Sequence, residues 1–257
     1  MPDTISKENN MTEAEHTTRV DLAAAFRLVD LYGWSDMLAT HLSARIPGRD
    51  EHFLINPVGM MFEEMTASCL VKVDIDGNIL SESEFGINPA GYTIHSAVHM
   101  GRKDAGCVMH THTAAGLGVA TQKSGLLPLT QMALAVIAQT GYHDYEGPAF
   151  DLRERDRLIN DLASNNVLIL RNHGLLTVGK TVAEAFVWLF RAERACRFQL
   201  SFQQAGAPAQ EIPKEVQDIS IERSKKAISA SGHRPIGQFE WPALLRKLNR
   251  ENPGYAQ

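Results

Sequence analysis

Residues 106–112 read GCVMHTH, and residues 167–178 read VLILRNHGLLTV. The apolar run from Gly106 to Thr111 predicts a buried strand, and two further strands are predicted on either side of Asn172-His173-Gly174. In His110-Thr111-His112, the period-two geometry of a strand points both imidazoles to the same side. Two such imidazoles form a bidentate grip for a metal ion, although short His-x-His patterns also occur by chance, with one histidine bonded to a carbonyl in the core.

His173 is the candidate third ligand. It precedes Gly174, which permits a tight backbone, and three histidines with an open fourth position are typical of a catalytic zinc site. The residues alone leave a second interpretation open, in which His173 is a turn histidine at a strand end.

The remaining pattern predicts an α/β fold. A capping box at Thr12-Glu13-Ala14-Glu15 opens the first helix, and a second box at Thr181-Val182-Ala183-Glu184 opens a long helix that ends at Gly206. Short strands follow the first helix, at residues 41–46, 53–55, 70–75 and 78–80. Strands followed by alternating helices and strands predict a mixed sheet with helices on both faces.

Other segments carry local signals. Asn88-Pro89 starts a helix that Gly101 closes, and His95 and His99 share one of its faces. Helices are also predicted for residues 113–121, 130–139 and 152–163. The tract GYHDYEGPAF (141–150) and residues 207–232 are predicted to be a loop and a linker, with a short closing helix after Pro242.

Composition limits the function classes. With 257 residues, a single domain is the default, and we expect a flexible segment at 1–12, a domain at 13–206 and a C-terminal extension at 207–257. The net charge of -5 and the lack of a Lys/Arg run make nucleic acids and membrane surfaces poor partners. Three widely spaced cysteines and no signal-peptide pattern predict a cytoplasmic protein.

Two segments resemble the class II aldolase/adducin family: residues 102–112 (RKDAGCVMHTH) and 168–176 (LILRNHGLL). The resemblance spans about residues 20–205, and HFLINPVGMMFEEMTASCLVKVD, GLLPL and GYHDYEG are closer to the adducin head domain than to the sugar-phosphate aldolases. It implies a three-layer α/β/α fold with a largely antiparallel central sheet, commonly assembled as a tetramer with active sites between subunits. It also implies that His110, His112 and His173 are the ligands of Zn²⁺, with Mn²⁺ or Fe²⁺ as alternatives.

The sequence departs from the aldolases of this family at two places. Their catalytic glutamate ends a Ser-Ser-Glu segment that here reads Pro89-Ala90-Gly91. Their remaining phosphate-binding positions correspond to His41 and to Val58-Gly59. Because proline, alanine and valine side chains offer no hydrogen-bond donor to a phosphate, the resemblance implies a non-phosphorylated substrate.

These observations predict a metal-dependent lyase that acts on a small hydroxy or oxo acid by retro-aldol cleavage or decarboxylation. His95 lies one helical turn beyond Gly91 and is the candidate substitute acid or base, its alternative being a structural helix histidine. Tyr142 and Tyr145 are candidate phenol donors, although loop aromatics also pack at subunit contacts.

The competing prediction is a non-catalytic binding protein, as adducin is in the membrane skeleton. The long basic tail of adducin is not found here, where residues 244–250 read LLRKLNR near the end of the sequence. We also expect a homo-oligomer, because the long helix carries Phe186, Leu189 and Phe198 beyond what one narrow apolar stripe needs.

Overall fold

The computed structural model describes residues 11–147 and 152–257. In these ranges the chain forms eight α-helices and a seven-stranded sheet. The helices are α1 (Glu13–Leu31), α2 (Pro89–Gly101), α3 (Ala114–Ala120), α4 (Gln131–Ile137), α5 (Arg155–Leu162), α6 (Val182–Ala205), α7 (Lys214–Ile228) and α8 (Glu240–Glu251). The strands are β1 (His41–Arg45), β2 (His52–Ile55), β3 (Val71–Asp74), β4 (Cys107–Thr111), β5 (Thr140–His143), β6 (Val167–Leu170) and β7 (Gly174–Gly179).

The strands are ordered β3-β2-β1-β4-β7-β6-β5 across the sheet. Neighbouring strands are antiparallel except β5 and β6, which are parallel. This arrangement confirms the predicted α/β fold with a mixed, largely antiparallel sheet.

Helices cover both faces of the sheet. On one face, α1, α3, α4 and α6 bury the larger core, whose biggest fully buried side chains include Phe26 and Phe186. On the other face, α2 and α5 pack Ile94 and Leu158 against Val108 and Leu176. The alternation of side chains along β1 and β4 therefore directs one set of residues toward α2, and this set includes His41 and His110.

The predicted helix ends follow the capping signals. The side chains of Thr12, Thr113 and Thr181 accept backbone N–H groups in the first turns of α1, α3 and α6. Gly206 adopts the left-handed conformation that ends α6.

Several local predictions are wrong. The predicted linker contains α7, none of whose residues is fully buried and whose half-buried face has only two large apolar side chains, Ile221 and Ile228, which is a weak signal for a helix. The predicted loop at 141–150 begins with most of β5, an edge strand that depends on pairing with β6, and residues 148–150 lie outside the described ranges. Residues 78–80 form only an isolated bridge between Val73 and Ile79 instead of a strand. The closing helix α8 begins before Pro242, which stands in its first turn.

The C-terminal segment packs on α1. Trp241 donates its indole N–H to Asp21 over 2.9 Å, and Arg27 donates to the Asn252 side chain over 2.8 Å. The backbone N–H of Ala67 donates to the carbonyl of Tyr255 over 2.8 Å. The boundary at residue 206 remains a prediction. None of the helices in the described ranges has the length and apolar character needed to cross a membrane.

Candidate metal centre

Three histidines meet where the central strand β4 ends and the turn between β6 and β7 lies. His110 and His112 lie at the end of β4, and His173 lies in the turn between β6 and β7. One nitrogen from each ring lies within 4.8 Å of the other two, and the ring centroids are 4.7–5.0 Å apart. Within the described ranges, this is the one group of three or more His, Cys, Asp or Glu side chains close enough to hold a metal ion.

Two of these rings are oriented by hydrogen bonds on the side away from the centre. His110 Nδ1 lies 2.9 Å from the carbonyl oxygen of Leu175, and His112 Nδ1 lies 3.0 Å from Oδ2 of Asp36. Both oxygens are acceptors, so they favour the tautomer with the proton on Nδ1 and leave a lone pair on Nε2. The two Nε2 atoms are 2.9 Å apart, and a divalent cation is the natural partner of two lone pairs facing each other.

The turn that presents His173 depends on its flanking residues. Asn172 has φ of 58° and Gly174 has φ of 153°, so both lie outside the conformations that most side chains adopt. A Cβ on Gly174 would approach the carbonyl oxygen of Thr111 to 2.5 Å. The glycine is therefore required for β7 to pass close to the end of β4, which brings His173 to the other two rings.

Burial favours the neutral form of His110 and His173. It lowers the pKa of His110 well below the ordinary histidine value and lowers the pKa of His173 to about 4, and the neighbouring imidazoles add to both effects. Neutral imidazole is the form that ligates a metal. The donor set, the neutral form of His110 and His173, and the orientation of the rings therefore fit a divalent ion with an open fourth position.

A buried chain of hydrogen bonds runs from this centre along the α2 face. His41 Nδ1 lies 2.7 Å from His95 Nε2, and His95 Nδ1 lies 2.5 Å from the hydroxyl oxygen of Ser43. The same hydroxyl lies 2.8 Å from Nε2 of His99. The ring of His41 is tilted over that of His110, with centroids 5.1 Å apart. Among the described residues, the hydrogen bonds of His95 therefore lead toward the centre by way of His41.

The contact of His41 with this site is one that the sequence did not predict. Its signal is the strand register, because His41 pairs directly with His110 across β1 and β4 and faces the same side. That register depends on the pairing of β1 with β4, which are neighbours in the sheet but far apart in the sequence, so no local sequence pattern reveals it.

The two candidate tyrosines have different surroundings. Tyr145 is 54% exposed, and its ring centroid lies 6.4 Å from that of His173. The hydroxyl of Tyr142 accepts the backbone N–H of Leu126 over 3.0 Å, and the Arg171 guanidinium lies 4.6 Å from the centre of its ring. The structure therefore brings Tyr145 to the histidines and directs the hydroxyl of Tyr142 to a backbone contact instead.

A second group of titratable side chains, one histidine with two carboxylates, borders the centre. His143 is buried, and its two nitrogens lie 2.7 Å from Asp161 Oδ2 and 3.2 Å from Glu154 Oε1. Glu154, Tyr145 and His173 all line a cavity of about 10 Å³, which is close to the space that one water molecule needs.

Comparison with known proteins identifies the family. Residues 20–200 match the model of the Class II Aldolase and Adducin N-terminal domain family. The chain belongs to this family.

Both branches of the class II aldolase/adducin family are represented among similar proteins. The crystal structure of an aldolase II superfamily protein from Pseudomonas syringae is 47% identical, with a TM-score of 0.89 and coverage of 96% of this chain and 98% of that one. An L-fuculose 1-phosphate aldolase from Glaciozyma antarctica is 27% identical, with a TM-score of 0.80 and coverage of 100% and 97%. Alpha-adducin of Rattus norvegicus is 40% identical over 95% of this chain, which spans 34% of the length of that adducin.

Proposed function

We propose that this family member is a divalent-metal-dependent lyase that breaks a carbon–carbon bond in a small, non-phosphorylated hydroxy or oxo acid, by retro-aldol cleavage or decarboxylation. The observation that carries the proposal is the convergence of three imidazoles, from His110, His112 and His173, with two of them oriented from behind. Zinc is the proposed ion, since three imidazoles suit it, and manganese or iron are the alternatives.

The three histidines would hold the ion and leave room for a substrate oxygen. When bound, a divalent ion at this position supplies Lewis acidity that polarises a carbonyl group. On the α2 side, the protein contributes three side chains that are buried from solvent: His41, His95 and Ser43. Tyr145 is exposed beside His173, with ring centroids 6.4 Å apart, and is the candidate phenol donor.

Proton transfer is assigned to His41. Its ring lies beside His110, and within the described part of the chain only its Nδ1 is in a hydrogen bond, to His95. Because both nitrogens of His95 are engaged by His41 and Ser43, His95 acts in this proposal as a positioning residue. In this proposal His41, instead of the predicted His95, is the acid or base that meets the substrate, and His95 orients it.

The substrate class follows from the residues at the proposed phosphate positions. The aliphatic side chain of Val58 is partly exposed, and the Phe85 ring packs so closely on Gly59 that a Cβ there would lie 3.2 Å from it. These groups offer an apolar surface where a phosphate needs several donors. The similarity to an L-fuculose 1-phosphate aldolase supports the reaction type, and the proposal differs from that enzyme in the substrate.

Metal analysis followed by activity screening tests this function. The purified protein should contain about one divalent ion per chain, and turnover of one or more hydroxy or oxo acids should disappear with a chelator and return with Zn²⁺ or Mn²⁺. His112→Ala and His173→Ala should lose the ion, whereas His16→Asn, on the exposed surface of α1, should retain it. Full metal occupancy in a His110→Ala/His112→Ala double variant contradicts the assignment.

A non-catalytic, adducin-like binding protein is the second candidate, and the 40% identity to alpha-adducin favours it. Actin co-sedimentation separates the two candidates. Binding to filaments, together with no turnover by the metal-loaded protein, would replace the lyase proposal.

A further inference from the structure

Asp36 makes a contact that reaches across the sequence to a candidate ligand. Its Oδ2 lies 3.0 Å from Nδ1 of His112, a residue 76 positions further along the chain. Asp36 is not among the predicted site residues, and it follows α1 in a short connection to β1. Its side chain is 51% exposed, whereas that of His112 is 21% exposed, so the pair lies at the mouth of the centre.

The connection is anchored on both sides of Asp36. Trp34 is buried and stacks on Tyr32 with ring centroids 4.9 Å apart. The Ser35 hydroxyl donates to Asp30 over 2.8 Å, and the N–H of Ala39 donates to the carbonyl of Asp36 over 2.9 Å.

Met37 shows that this conformation costs free energy. Its φ is 47°, in the left-handed region that a residue other than glycine adopts at a cost of order 1 kcal/mol. Its side chain is 71% exposed, so packing of that side chain does not account for the strain. The strained residue is the immediate neighbour of Asp36, whose carboxylate contacts His112.

The three candidate ligands differ in what holds them. His110 is buried and is held by the carbonyl of Leu175, and His173 is held by its strained turn. His112 is more exposed and has Asp36 as its one hydrogen-bond partner outside the triad within the described residues. Of the three rings, His112 therefore has the most to lose from removal of a single side chain.

We infer that Asp36 is a positioning residue of the metal centre: its carboxylate fixes the His112 ring in the Nδ1–H tautomer and makes its Nε2 a better metal ligand. The inference rests on the proposed function, since it assumes that the triad binds a divalent ion. A carboxylate behind a metal-bound imidazole fixes the ring orientation and increases ligand basicity, and removal of such a partner typically weakens metal binding by about 10–100-fold.

The test compares two carboxylates near the same centre. Asp36→Ala removes the contact, and Asp144→Asn is the matched control, because Asp144 is 94% exposed and lines the same cavity as His173 without a hydrogen bond to a triad ring. The Kd for Zn²⁺ is measured for both variants and the unsubstituted protein by competition with a chromophoric chelator. Asp36→Ala should bind Zn²⁺ about 10–100-fold more weakly, whereas Asp144→Asn should stay within about 2-fold.

A measurement without metal tests positioning directly. In the metal-free protein with ¹⁵N-labelled histidine, the His112 ring should carry its proton on Nδ1, and Asp36→Ala should shift it toward a mixture of the two tautomers. An unchanged tautomer, or an Asp36→Ala Kd within 2-fold of the unsubstituted protein, overturns the inference. If Asp36→Ala leaves the tautomer or the Kd unchanged while His110→Ala/His112→Ala abolishes Zn²⁺ binding, the inference fails and the proposed metal centre stands. If the unsubstituted protein does not bind Zn²⁺, both fail.

Discussion

The imidazole of His41 occupies the space that a side chain at position 91 would need. An ideal Cβ built on Gly91 would lie 2.6 Å from Cδ2 and 2.8 Å from Cγ of His41. His41 is buried and its Nδ1 is paired with His95, so the ring has little room to move. By the resemblance to class II aldolases, position 91 is that of the catalytic glutamate. In this chain, position 91 on α2 is a glycine, and the imidazole of His41 from β1 occupies the space beside it.

Gly91→Ala should therefore destabilise the protein. Alanine in a helix is ordinarily more stabilising than glycine by about 1 kcal/mol, but overpacking a buried site costs about 1–3 kcal/mol. We expect a net loss of up to about 2 kcal/mol in the free energy of unfolding, measured with urea. Gly86→Ala is the control, because nothing lies within 4 Å of a Cβ there. A stabilised Gly91→Ala variant would show that His41 does not fill this space.

His95→Ala should lower turnover without releasing the metal. The substitution leaves His41 and Ser43 without their shared partner, while the triad keeps its own hydrogen bonds. Once a substrate is found, we expect a decrease in kcat of about 10²–10⁴-fold, the usual contribution of a positioned acid or base. His41→Ala should lower kcat by a similar factor, and the double variant should lower it little further. The pH–rate profile should change in both single variants. Unchanged turnover in His95→Ala would make that histidine purely structural.

The metal-free protein should be acid-labile. Burial lowers the pKa of five imidazoles, including that of His173 to about 4 and that of His99 to about 3. The five residues are His41, His95, His99, His110 and His173. Below the unfolded value of about 6.5, the unfolded chain binds protons that the folded chain does not, so the free energy of unfolding falls as the pH falls.

Each such imidazole contributes up to about 1.4 kcal/mol per pH unit until the pH reaches its folded pKa. Urea unfolding in a chelator should therefore show a loss of at least about 3 kcal/mol between pH 6 and pH 5, and His16→Asn, an exposed histidine, should show the same loss. A flat stability profile over this range would mean that the histidine chain is protonated or open in solution.

The protein should be a homo-oligomer, and we predict a tetramer of about 114 kDa from chains of 28.4 kDa. On α6, Phe186 and Leu189 are fully buried in the chain's own core, so they are not free to contact another chain. Phe198 is partly exposed, as are Val58 and Phe85. Light scattering measures the mass directly, and a value near 28 kDa at micromolar concentration would exclude the oligomer.

The parts of this site that the sequence predicts are those within one strand or turn. His110 and His112 share a side because a strand alternates, and His173 needs a turn that Asn172 and Gly174 make possible. His41 and Asp36 reach the centre through the β1–β4 register and the path of the connection after α1, which arise only from tertiary packing. The same distinction explains α7, whose half-buried face consists mainly of polar and small residues such as Gln217, Ser220 and Ser224, so its packing on the domain leaves only a weak apolar pattern in the sequence.

Phosphorylated ketoses should be neither bound well nor cleaved by this protein. Each charge-assisted hydrogen bond to an anion contributes about 1.5–3 kcal/mol, so the loss of several donors weakens phosphate binding by orders of magnitude. Val58, Gly59 and Pro89 supply no donating side chain at the positions that the resemblance assigns to phosphate. Calorimetry with L-fuculose 1-phosphate and with its unphosphorylated sugar should give equally weak binding for the two ligands. Efficient cleavage of a ketose 1-phosphate would refute this argument, because it would mean that these residues, and Gly91 with them, do not stand where the resemblance places them.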